Sequence, residues 1–195
     1  MNGYELVVVG ASWGGLNAVS ELLLGLPEEL EAAVAIVQHR GADPEPGLFA
    51  SLLQRRTSRP VMEAHDKEPI LARHVYVAPP DYHLLVEPGF FSLSTEGRVM
   101  YARPSIDVAF ESAADAYRER VIGIVLTGAN ADGAAGLARI KAAGGVAIVQ
   151  DPRTAVAAAM PEAALAVTAA DAVLPLSELG PFLQGLACEP ARVRA

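Results

Sequence analysis

The sequence predicts a three-layer, doubly wound α/β fold with a mostly parallel sheet and an antiparallel hairpin region inserted mid-chain. Three observations support this. Short, nearly continuous apolar runs occur at LVVVG from Leu6, AAVAIVQ from Ala32, VIGIVL from Val121 and VAIVQ from Val146, as strands covered on both faces require. These runs give way to polar or glycine-bearing loops and then to apolar residues at helical spacing, the alternation that builds parallel sheets. Between Val61 and Leu93 the pattern changes to brief strand-like runs broken by Pro, Gly and Asp, with Pro88-Gly89 as a hairpin signal. A length of 195 residues fits one domain, 1–195.

The stretch from Glu5 to Leu16, ELVVVGASWGGL, reads as strand, tight turn and helix. Ser12 then falls at the carboxyl end of the first strand, where open α/β sheets place their ligands. Glycines at 10, 14 and 15 permit close backbone approach, and free N–H groups at the helix start suit an oxyanion. The same pattern equally allows Ser12 to be a helix N-cap. A dinucleotide fingerprint fits poorly, because the order is G-x-x-x-G-G rather than G-x-G-x-x-G.

The first helix should carry Leu16, Val19, Leu22 and Leu23 toward a core and end at Gly25 and Pro27. The second strand stops at His39, on the same sheet edge as Ser12; a strand-end histidine bonded to backbone is the ordinary alternative. A loop is expected from Gly41 to Gly47 and a helix from Leu48 to Gln54. Arg55, Arg56 and Arg59 then read as a solvated helix end, with a small basic patch as the alternative. VME, HVYVAP, YHLLVE and FFSLS are expected to add antiparallel or mixed strands to the sheet. His65, His74 and His83 lack ligand spacing and read as structural.

Ser105 is a candidate N-cap, with Asp107 in the first turn and Ile106, Ala109, Phe110, Ala113 and Ala114 as the apolar face. The strand from Val121 leads into ANADGAAGLARIKAAGG, which puts Asp132 at or just before a helix N-terminus. A helix from Thr154 to about Ala159, reset at Met160-Pro161, and a final helix from Ser177 complete the chain, leaving a short tail.

Composition narrows the function. A net charge of −8 argues against nucleic acid as a partner. The single Cys188 cannot form an internal disulfide and suits a reducing compartment. Neither a signal peptide nor a membrane-spanning run is visible, so a cytoplasmic location without membrane insertion is expected. Ser12, His39 and Asp132 occupy three strand ends that share one face of a parallel sheet, and those residue types are what acyl transfer needs. The hydroxyl attacks, the imidazole takes and returns its proton, and the carboxylate fixes the tautomer.

GASWGG around Ser12, VQH ending in His39, YVAPPDYHLL from Tyr76, RPSID from Arg103, LTGANADGAAGL around Asp132 and MPEAAL from Met160 resemble, in that order, motifs of the catalytic domain of CheB-type protein-glutamate methylesterases. The likeness runs from about Leu6 to Leu183. It implies a hydrolase that removes methyl esters from glutamates in the cytoplasmic region of methyl-accepting chemoreceptors, or of a related methylated protein, and deamidates certain glutamines. It puts the nucleophile on Ser12, the base on His39 and the orienting carboxylate on Asp132, with Trp13, Gly14, Ala129 and Met160 around the oxyanion and substrate pocket. No metal or organic cofactor is needed.

The chain departs from the pattern at several positions. Trp13 stands where a small hydroxyl residue is usual, and its indole reads as a pocket wall, with a packing residue facing the sheet as the alternative; Ala129-Asn130 stands where Met-Gly is common, Ala102 where a histidine is usual and Arg40 where an apolar residue is usual. The first strand starts within a few residues of Met1, which favours a stand-alone domain without a receiver, with a domain excised from a longer protein as the alternative. An esterase acting on another acyl group, or a catalytically silent module binding signalling partners, would keep the same fold.

Overall fold

The computed structural model describes residues 3–41 and 47–188. Residues 42–46 of the expected loop, and the expected tail at 189–195, lie outside the described residues. A seven-stranded parallel sheet forms the middle layer. Its strands are β1 (Leu6–Ala11), β2 (Ala33–Gln38), β3 (Val61–Glu63), β4 (Val75–Val77), β7 (Val121–Val125), β8 (Val146–Gln150) and β9 (Ala172–Leu174), in the order β3-β4-β2-β1-β7-β8-β9. Every residue of β1, β2 and β7 is buried, which explains why these strands read as unbroken apolar runs.

Helices cover both faces. α1 (Gly15–Leu24), α2 (Leu48–Gln54) and α6 (Leu176–Cys188) pack through Val19, Leu22, Leu53, Leu179 and Leu183 on one side. On the other, α3 (Ile106–Tyr117), α4 (Ala134–Ala142) and α5 (Ala159–Val167) pack through Phe110, Leu137, Ile140 and Ala164. The hairpin of β5 (His83–Glu87) and β6 (Phe90–Ser94) turns at Gly89 with φ +88° and buries Leu84, Val86 and Phe91 in that second core. No described helix is long and apolar enough to cross a membrane.

The structure corrects four local expectations. The first two mid-chain strands pair parallel within the main sheet, and only the last two are antiparallel, as a separate two-stranded sheet. Short apolar runs do not encode pairing direction; the connection between them does. Leu16 is exposed while Val19, Leu22 and Leu23 are buried, because Leu16 sits in the first turn of α1, at the rim of the sheet. Arg59 is buried, its guanidinium donating to the carbonyls of Pro27, Leu30 and Ala32 at 2.8, 2.6 and 3.2 Å. It satisfies the carbonyls of the α1–β2 connection rather than ending a helix in solvent. The expected helix at Thr154–Ala159 is a 3-10 turn over Pro152–Thr154, and α5 starts at Ala159 with Pro161 in its first turn. A proline there removes an N–H that has no intrahelical partner, so it starts the helix instead of breaking it.

Candidate active site

β1, β2 and β7 are parallel neighbours ending at Ala11, Gln38 and Val125, so the loops leaving them meet over one sheet edge. The direction in which strands are added to the sheet also reverses at β1: β2 is reached through α1 on one face, and β7 follows α3 on the other. Such a switch point opens a crevice at the carboxyl ends of the strands.

Ser12 follows β1 directly. Its N–H donates to Thr127 O at 2.9 Å, and its carbonyl accepts from Gly15 N at 2.9 Å and from Gln38 Nε2 at 2.8 Å. The N-cap of α1 is Gly14, at φ +82°, with no side-chain cap. A Cβ at Gly14 would meet Val156 Cβ at 2.7 Å, so both conformation and space demand glycine. The Ser12 hydroxyl is therefore not consumed by capping. The N–H groups of Trp13 and Gly14 have no hydrogen-bond partner among the described residues and stand beside Ser12 at the positive end of α1.

His39 is the first residue after β2. Its Nε2 lies 2.7 Å from Asp132 Oδ2, and its Nδ1 lies 3.4 Å from Asn130 Nδ2. The carboxylate fixes the tautomer: Nε2 carries the hydrogen and Nδ1 keeps its lone pair. The Asp132 side chain is fully buried. Burial opposes its ionisation. The His39 hydrogen bond, the N–H groups of Asp107 and Ile106 and the Ser105 hydroxyl outweigh that opposition and hold the carboxyl below its ordinary value.

Ser12, Trp13, Gly14, Gln38, His39, Arg40 and Phe49 line one open cleft of roughly 400 Å³ together with the first residues of α1. Trp13 is 69% exposed, with only its backbone carbonyl tied down, by Thr127 Oγ1 at 2.9 Å. Arg40 pairs with Glu63 at 2.5 Å and lies over the Phe49 ring. Ala129 is exposed on the loop leaving β7 and is not part of the cleft wall. Met160 is buried and is not among the residues lining the cleft: its N–H donates to Gly128 O at 3.0 Å, and a Cβ at Gly128 would meet both its Sδ, at 1.8 Å, and the Ser12 Cβ, at 2.9 Å, so it packs beside Ser12. Among the described residues, no group of three or more His, Cys, Asp or Glu side chains is placed to hold a metal ion.

Two supporting residues escaped the sequence reading. The buried Gln38 donates through one amide nitrogen to both Ser12 O and His39 O, at 2.8 and 3.0 Å, joining the two loops; its only signal is a polar residue closing an apolar strand. Asp107 was visible only as an acidic first-turn residue, yet its Oδ1 accepts from Gly133 N and Gly136 N at 2.9 and 2.7 Å, which fixes the loop that carries Asp132.

Comparison with known proteins extends this picture. The sequence model of the CheB methylesterase family matches residues 7–183. A Leptospira interrogans protein is 47% identical over 177 residues, covering 90% of this chain and 91% of that one. A protein-glutamate methylesterase/protein-glutamine glutaminase of Symbiobacterium thermophilum is 39% identical over 179 residues, and one of Anaeromyxobacter dehalogenans is 40% identical over 182. The matches cover 90% and 93% of this chain but 48% and 53% of those two proteins, so the chain spans about half their length. The crystal structure of the Thermotoga maritima CheB methylesterase catalytic domain superposes with a TM-score of 0.89 at 31% identity, covering 94% of this chain and 99% of that one. A match over 177 residues in sequence, backed by the same fold in three dimensions, settles the kinship: the chain belongs to the CheB methylesterase family.

Proposed function

We propose that this chain hydrolyses γ-methyl esters of protein glutamates, in the cytoplasmic region of chemoreceptors, through Ser12, His39 and Asp132. The observation that carries the reading is the 2.7 Å bond between His39 Nε2 and the buried Asp132, which leaves His39 Nδ1 as the basic nitrogen in a cleft that Ser12 also lines. Nδ1 takes the hydroxyl proton as Ser12 Oγ attacks the ester carbonyl, and the imidazolium is stabilised by Asp132. The oxyanion is held by the Trp13 and Gly14 N–H groups. Collapse breaks the acyl–oxygen bond, methanol leaves with the proton from Nδ1, and water attacks the acyl-enzyme with Nδ1 again as base. A glutamine side chain follows the same route with ammonia as leaving group.

The exposed Trp13 indole at the cleft supports one variant, the same chemistry on a different acyl group. The test is labelling of the folded protein with a fluorophosphonate, combined with methanol release from methylated receptor fragments. Labelling at Ser12 and methanol release, both absent in Ser12→Ala, are expected. An unlabelled Ser12 in folded protein would instead favour a silent binding module.

A further inference from the structure

The cleft continues past the catalytic serine. Leu16 and Asn17 line both that cleft and a second one of roughly 340 Å³, formed with Ser20 of α1 and with Leu52, Arg55 and Arg56 at the end of α2. Leu16 and Leu52 are both exposed, at 39% and 38%, so an apolar floor leads from Ser12 to two exposed guanidinium groups. Those groups are unusual in this protein. Other described arginines and lysines are matched internally, as in Arg73 with Glu28 and Glu31, Arg120 with Glu5, Arg139 with Asp115 and Lys141 with Asp171, or buried on carbonyls like Arg59. Arg55 and Arg56 have no carboxylate partner among the described residues, a condition they share with the buried Arg59 and with Arg118.

We propose that the groove from Ser12 along α1 to Arg55 and Arg56 is a substrate subsite, in which the two arginines hold an acidic side chain of the same protein segment that presents the glutamyl ester. The proposal rests on the hydrolase reading above and adds what that reading lacks, a reason for one segment to be preferred over another. At about 1.5 Å per residue, the α1 surface from Gly15 to Ser20 spans about 8 Å. That is the reach of two to three extended residues, or between one and two helical turns, so a carboxylate close in sequence to the ester can contact the arginines while the ester lies at Ser12. Charge explains the placement. A protein of net charge −8 repels an acidic substrate, and an unpaired cationic pair on the approach to the nucleophile reverses that locally. Two exposed pairs of this kind amount to about three- to tenfold in affinity.

The test uses Ser12→Ala protein, which holds the ester without cleaving it. Two tryptophan-free peptides each carry one glutamyl γ-methyl ester; one has glutamates three, four and seven residues to either side, and the other has glutamines there. Trp13, the chain's single tryptophan, reports binding by its fluorescence. The acidic peptide is expected to bind about three- to tenfold tighter at low salt. Arg55→Gln with Arg56→Gln, or half-molar salt, should erase the difference while the neutral peptide binds as before. Equal binding of the two peptides, binding of neither, or a preference that survives the double substitution overturns the subsite. Turnover of the neutral peptide by protein with Ser12 intact tests the hydrolase reading separately. Turnover without an acidic preference removes the subsite alone, and preference without turnover removes the hydrolase alone.

Discussion

Asp107 and Asp132 each accept the orphan N–H groups at the start of the other's helix. Asp132, just ahead of α4, takes Ile106 N at 2.7 Å and Asp107 N at 2.9 Å from the first turn of α3. Asp107 in turn takes Gly133 N and Gly136 N from the start of α4. A helix start leaves four N–H groups without intrahelical partners and carries partial positive charge, so the exchange locks two helices together through one pair of carboxylates. It also aims Asp132 Oδ2 at His39, giving that carboxylate a structural and an orienting role at once.

Asp132→Asn should therefore cost more than a lost charge. Oδ1 accepts from Ser105 Oγ and Asp107 N, and Oδ2 from His39 Nε2 and Ile106 N. Either orientation of an amide places an NH2 group against a backbone N–H. A loss of about 2–3 kcal/mol is expected, together with a fall in ester hydrolysis. At Asp107 only Oδ1 is used, and the carbonyl of asparagine can occupy its place, so Asp107→Asn should cost less than about 1 kcal/mol. Urea midpoints of the two variants check this; equal losses would remove the asymmetry.

The two carboxylates also respond oppositely to pH. Asp132 titrates below the unfolded value of about 3.9, so its contribution is complete above that value and is lost as pH falls through the folded pKa. Asp107 is raised by burial and then by the charge of Asp132, against the opposing N–H bonds of Gly136 and Gly133. The folded state therefore holds the Asp107 proton more tightly than the unfolded chain does, and this contribution declines as pH rises from about 3.9 through the folded pKa. Asp107→Asn lacks that decline. Its stability relative to the parent protein should rise from pH 4 to pH 7, and chemical denaturation at four pH values in that range would show a flat difference if the account is wrong.

Trp13 offers a separation of stability from selectivity. The side chain is 69% exposed and lines the cleft, so Trp13→Ala should move stability by no more than about 0.5 kcal/mol. Its effect belongs on substrate choice: the ratio of kcat/KM between a bulky and a small acyl ester should shift severalfold. An unchanged ratio would assign the indole no part in the pocket.

The framework was legible in the sequence because it depends on local pattern, and so was the meeting of Ser12, His39 and Asp132 at one edge of the sheet. The buried runs at Leu6, Ala33 and Val121, each followed by a loop and a helix, declare parallel strands, and Ser12, His39 and Asp132 are placed by the loops that leave them. What stayed hidden depends on contacts across long separations. The partnership of Asp107 with Gly133 spans 26 residues, and Arg59 reaches carbonyls 27 to 32 residues away, so neither leaves a periodic trace. At Met160 an apolar residue at a motif position suits a pocket wall and a buried prop alike, and the sequence holds no trace of the close approach to Gly128 under which it is buried.

Gln38 and Gly15 supply the last test, of how the Ser12 loop is held. Gln38 Nε2 bonds the carbonyls on either side of the cleft at Ser12 and His39, while its Oε1 is buried without a hydrogen-bond partner. A Cβ on Gly15 would come within 2.0 Å of that oxygen and 2.8 Å of the Ala11 Cβ. Gly15→Ala must therefore push the amide off its two carbonyls or shift the start of α1, and a loss of about 2–4 kcal/mol is expected. Gln38→Ala removes the obstacle and the two donated bonds together; it should lower kcat about tenfold with little change in KM, because it moves the reacting groups rather than the binding surface. In the double variant the clash with the amide is gone, so its loss of stability should fall short of the sum of the single losses by about 1 kcal/mol or more. Thermal unfolding of the four proteins in this cycle measures the coupling directly, and strict additivity would mean that Gln38 and Gly15 do not share the space that the geometry gives them.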